Sequence, residues 1–82
     1  MNKIVRTLRP FESTIFVLDY VYFVVMNDNG SPIVTTFRKA DGLEVESREF
    51  ESYYEHNEAT FYFDTVDLCF LRITLNKSNE RF

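Results

Sequence analysis

The stretch Ile15–Met26, IFVLDYVYFVVM, constrains the fold more than any other part of the chain. Nearly every side chain in it is β-branched or aromatic, and in a helix most of these would lose χ1 freedom against the preceding turn. The run therefore predicts extended chain, as one buried strand or as two short strands bent near Asp19. Its continuous apolar character predicts cover on both faces. It has 12 residues and contains Asp19, which is too short for a membrane span of about 20 residues.

The next six residues, NDNGSP (27–32), place Asn29-Gly30 between two β-rich runs, the strongest short-range hairpin signal. The returning strand is expected over roughly Ile33–Lys39, with Ile33, Thr35 and Phe37 on one face and Val34, Thr36 and Arg38 on the other. Ala40-Asp41-Gly42 reads as a second turn, and Leu43 to about Ser47 as a third strand, with Leu43 and Val45 on one face and Glu44 and Glu46 on the other.

Residues 47–57 read in two ways. Ser47 suits an N-cap, Glu49 and Glu51 suit the positive end of a helix, and Phe50, Tyr53 and Tyr54 fall at i, i+3 and i+4. The alternative is a strand that continues into a wide turn at His56-Asn57-Glu58; one or two helical turns are the favoured reading. Ala59–Asp64 returns to strand, with Phe61 and Phe63 inward and Thr60 and Tyr62 outward. A turn follows at Thr65-Val66. A last strand over Leu68–Asn76 carries the stripe Cys69, Leu71, Ile73 and Leu75. Lys3–Leu8 supplies a first strand with Ile4 and Leu8 inward, and the tail KSNERF reads as frayed.

The expected fold is mainly β, with β-rich α+β as the variant. About six mostly antiparallel strands form a curled sheet or small barrel, with at most one short helix near residues 47–57. Residues 1–82 make a single small domain. A chain of this size buries only about 60–65% of its unfolded surface, and its nine Phe and five Tyr supply large areas per residue to offset that.

No catalytic set emerges. His56 is the only histidine and Cys69 the only cysteine, so an intramolecular disulfide is excluded and a Cys–His pair has no support in the spacing. Glu55, His56 and Glu58 offer one nitrogen and two carboxylates, but adjacent turn residues rarely converge on one ion. Glu44 and Glu46 would share a strand face, the arrangement of a solvated surface more often than of a glycosidase. Neither glycine sits in a phosphate-binding loop. The expectation is a protein that is not an enzyme and carries no cofactor or metal. No signal-peptide pattern follows MNKIVRTLRP, and the chain reads as cytoplasmic, with no membrane partner.

Charge is more informative. Residues 41–67 hold nine acids against one base, Arg48, net −8, whereas the rest of the chain is net +4. The acidic segment is also the tyrosine-bearing one. Acids beside tyrosines can neutralise a basic patch while the rings supply buried area, and Tyr is enriched at interface hot spots. The candidate partner-binding residues are Glu44, Glu46, Glu49, Glu51, Tyr53, Tyr54, Glu55, Glu58 and Tyr62. They predict a protein partner with a basic surface. The chain's profile is similar to that of small phage and mobile-element proteins that bind and block a host defence or nucleic-acid-handling protein. One alternative is an assembly subunit of a virion or scaffold that forms a homo-oligomer through an edge strand or the hydrophobic hairpin. A second is a small β-barrel that stacks single-stranded bases on Tyr20, Tyr22 and Tyr62. A net charge of −4, with Lys3, Arg6, Arg9, Arg38 and Lys39 as the best basic cluster, makes nucleic acid the less favoured partner.

Overall fold

A computed structural model describes residues 3–76, so the expectation for the tail 77–82 lies outside the described residues. Eight strands form: β1 Lys3–Thr7, β2 Ser13–Val17, β3 Val21–Asp28, β4 Ser31–Arg38, β5 Glu44–Glu49, β6 Tyr53–Glu55, β7 Ala59–Phe63 and β8 Phe70–Leu75. They build two antiparallel four-stranded sheets, in the orders β1-β8-β7-β6 and β2-β3-β4-β5. We call these sheet A and sheet B. The mainly β, antiparallel expectation holds, and of its two closures the sheets stay open and form no barrel. Two details differ: there are eight strands rather than about six, and the favoured helical turns at 47–57 do not form, nor does any helix elsewhere among the described residues.

The run Ile15–Met26 is divided between β2 and β3, with Leu18-Asp19-Tyr20 in the turn and Leu18 N donating to Val21 O at 2.9 Å. Phe16 lies opposite Phe23, so two strands of like composition are joined head to tail in the sequence. Asn29 and Gly30 have φ values of 54° and 98° and close β3 onto β4, with Asp28 opposite Ser31. Both positive φ values match the two-residue turn whose twist suits a hairpin. At Ala40-Asp41-Gly42 a bidentate Arg38–Asp41 pair (3.1 and 2.8 Å) braces the second turn, and the Arg38 guanidinium pulls the Asp41 carboxyl below its ordinary range.

The inner faces meet in one core. Phe16, Phe23, Val25 and Val34 from sheet B pack against Ala59, Phe61, Phe63, Leu71 and Ile73 from sheet A, with Leu8 and Phe50 closing the ends. Phe23 and Phe61 meet edge to face across the sheets at 5.1 Å. The expected inward positions Phe61, Phe63, Leu71, Ile73 and Leu8 are all buried. Cys69 departs from its expected stripe: it precedes β8, is only half-buried, and its carbonyl accepts the Leu8 amide at 2.7 Å. The core holds one side-chain polar atom without a partner among the described residues, the Thr36 hydroxyl. Thr36→Val removes that desolvated oxygen at nearly constant shape and is expected to raise stability by about 1 kcal/mol, read from chemical denaturation.

The outer face of sheet B is organised in three cross-strand rows. They are Val17–Tyr22–Phe37–Glu44, Ile15–Val24–Thr35–Ser47 and Ser13–Met26–Ile33–Glu49. The prediction of cover on both faces of Ile15–Met26 is therefore not met among the described residues, since Ile15 and Val17 stand exposed. On sheet A the matching row is Tyr53–Tyr62–Arg72–Val5.

Candidate functional site

Sheet order places β5 and β6 at the same side of the molecule, as the edge strands of the two sheets, joined through Phe50–Ser52. The acidic, tyrosine-bearing segment is thus one flank of the sandwich. The reason is local packing. Phe50 is buried and stacks on Tyr54 (5.9 Å, 30°), and both rings reach Phe61 at 6.4 and 5.9 Å. The spacing of Phe50, Tyr53 and Tyr54 suggested a helical stripe. The same contacts arise instead because the chain folds sharply at residues 50–52, sending Phe50 and Tyr54 inward from two extended segments.

The nine candidate residues do not form one plane. Glu46 and Tyr54 meet at the seam between the sheets, where the Tyr54 hydroxyl donates to Glu46 at 3.4 Å and Arg48 pairs with the same carboxylate at 2.6 Å. Glu44 and Glu46, expected on a common face, are separated by a bulge: Glu44 lies opposite Phe37 and Glu46 opposite Thr36. The extra residue leaves Val45 and Glu44 outward and Glu46 half-buried. Glu44 and Glu49 therefore border the outer face of sheet B. Tyr53, Glu55 and Tyr62 lie on the outer face of sheet A, with Glu51 and Glu58 in the flanking turns.

The sheet A group is the most coherent of the three. Tyr53 and Tyr62 rings lie 5.4 Å apart, and the Arg72 guanidinium sits 4.2 Å over Tyr62. Tyr53 donates its hydroxyl to Glu55 at 3.0 Å. The row is thus two rings and a cation in contact, with carboxylates on the β6 side. Sequence reasoning found the tyrosines and missed Arg72, whose place beside Tyr62 depends on the β7–β8 register.

The hydrogen bond to Glu55 raises the Tyr53 pKa, and partial burial followed by the Glu46 charge raises that of Tyr54. A folded-state pKa above the unfolded value means that the associated stability is full below about pH 10 and is lost as pH rises through the folded values. An ultraviolet absorbance titration should show Tyr53 and Tyr54 ionising above the ordinary tyrosine range, and Tyr53→Phe should remove one late step.

Chemistry of other kinds gains little from the geometry. His56 Nδ1 accepts the Glu58 amide at 3.0 Å and its ring lies edge-on to Phe23 at 5.0 Å. Among the described residues no group of three His, Cys, Asp or Glu side chains is placed to hold a metal ion. Tyr20, Tyr22 and Tyr62 do not share a surface: Tyr20 lies in the β2–β3 turn, Tyr22 on sheet B and Tyr62 on sheet A. No helix among the described residues is long and apolar enough to cross a membrane. Comparison with protein-family models, curated proteins and solved structures finds no match to this chain.

Proposed function

We propose that this chain is a protein-binding modulator whose acidic, tyrosine-bearing flank seats in a basic groove of another protein, one that handles nucleic acid or serves in defence. The observation that carries the reading is the contact row Tyr53–Tyr62–Arg72, bordered by Glu51, Glu55 and Glu58. Tyr and Arg are the residue types that dominate interface hot spots, and each ring adds contact area at little entropic cost. The surrounding carboxylates steer the encounter with a basic surface and exclude acidic ones.

The test is capture of a partner on immobilised protein from a lysate, repeated with two variants. Tyr53→Ala should lose most of the captured protein, and joint reversal of Glu51, Glu55 and Glu58 to lysine should abolish salt-sensitive capture. Retention of the main partner by both variants would sink the assignment. Salt-sensitive binding to single-stranded oligonucleotides would instead favour base stacking on the same row.

A further inference from the structure

Among the described residues no element covers the outer face of sheet B, and seven of the twelve positions in its three rows are apolar. Ile15, Val17 and Val45 are 59%, 58% and 58% exposed. No charged side chain occupies the β2, β3 or β4 columns of its three rows; the charges lie in the β5 column, at Glu44 and Glu49. Strand spacing and rise make the face roughly 19 Å across and about 17–26 Å along the strands of five to eight residues, about 400 Å² before side-chain relief, with its apolar part inside the size range of patches found on monomers.

We infer that this face is covered by the same face of a second copy, giving a symmetric dimer of stacked sheets. Two such faces in contact remove on the order of 900 Å², the size of a small, weak interface, so charge complementarity carries the choice of partner. Charge selects the symmetry axis. An axis across the strands would set one acidic β5 column over the other. An axis parallel to the strands sets each β5 column over the partner's β2 column, at equal height along the strand. At the height of Glu44 the β2 end of the row is Val17, and beside it Lys39 Nζ donates to Leu18 O at 3.0 Å. Neither Glu44 nor Lys39 has an ion-pair partner within the chain among the described residues. The strand-parallel axis gives each Glu44 the Lys39 of the other copy, twice per dimer. It leaves Tyr53, Tyr62 and Arg72 on the far sheet, so the dimer stands or falls independently of the function proposed above.

Sedimentation velocity on the full chain decides it, over concentrations up to about 100 μM, because a small interface of this kind associates weakly. Wild type should sediment as a dimer at the upper concentrations. Val24→Lys, at the centre of the grid, should be monomeric, and Ile15→Glu should give the same result at an exposed position where misfolding is not at issue. Val5→Glu, on the outer face of sheet A, should remain dimeric. Glu44→Lys and Lys39→Glu should each weaken the dimer about tenfold or more, and the double swap should restore it. A wild-type monomer throughout, or an intact dimer in Ile15→Glu, overturns the dimer; failure of the double swap to restore association overturns the strand-parallel arrangement.

Discussion

Asn27→Ala is expected to cost about 3–5 kcal/mol, a large part of the roughly 4–12 kcal/mol available to a chain of this length. Asn27 is fully buried on the inner face of β3. Its amide nitrogen donates to Leu8 O at 2.7 Å and Leu68 O at 3.0 Å, and its Oδ1 accepts the Gly30 amide at 2.6 Å. One side chain therefore ties the β1–β2 connection, the β7–β8 connection and the hairpin turn to β3. Its main chain adds two more links, receiving from Phe11 N at 2.6 Å and donating to Glu12 O at 3.0 Å. Phe11 and Leu68 hold φ values of 69° and 57°, which non-glycine residues adopt only when the surroundings over-determine them. Alanine leaves two carbonyls and one amide without partners and slackens the restraint on Leu68. Asn27→Asp tests the same network differently. It retains the acceptor for Gly30 but turns a carboxylate toward two carbonyl oxygens, so it should be at least as damaging. Urea denaturation followed by circular dichroism measures both; a loss below about 1 kcal/mol for Asn27→Ala would show that water satisfies these groups equally well.

Asn27 also marks the boundary of what the sequence discloses. In NDNGSP the chemistry that sets the turn is local, so Asn29-Gly30 is legible and its positive φ values follow. Strand parity is legible for the same reason. Phe61 and Phe63 alternate with Thr60 and Tyr62, and Asn27 shares the parity of Phe23 and Val25, which is the one signal that could have marked it as internal. The Gly30 contact is local, but the two carbonyl partners lie 19 and 41 residues away, and nothing short-range encodes them. The same limit hid the β1–β8 pairing and the place of Arg72 beside Tyr62. The split at Asp19 was ambiguous because a hairpin of two apolar strands has the composition of one long strand. The helical spacing at Phe50, Tyr53 and Tyr54 misled because a sharp fold between two strands satisfies the same contacts. The bulge at Thr36/Phe37 separated Glu44 from Glu46, and a single unpaired residue leaves no compositional mark. The candidate flank was located by the coincidence of acids and tyrosines; its division into a seam, a sheet A face and a sheet B border required the register.

Phe61→Ala is expected to destabilise by about 3–5 kcal/mol and to leave the chain largely unfolded at ambient temperature if wild type sits at the low end of its range, about 4 kcal/mol. The ring is fully buried and touches Phe23 at 5.1 Å, Tyr54 at 5.9 Å and Phe50 at 6.4 Å, so it joins sheet B, the β6 edge and the β5–β6 fold at one point. Edge-to-face and tilted contacts of this kind add about 0.5–1.5 kcal/mol each beyond the area they bury. Phe61→Leu keeps most of the volume and loses the ring geometry, and should cost about 1–2 kcal/mol. Tyr62, the next residue, points to the outer face of the same strand. Tyr62→Ala should cost less than about 1 kcal/mol of stability while removing the ring that links Tyr53 to Arg72. Thermal unfolding of the two alanine variants, set beside partner capture by Tyr62→Ala, separates the two roles of β7. If Tyr62→Ala unfolds as readily as Phe61→Ala, the outer row is part of the structural framework, and the case for a binding surface on sheet A fails with it.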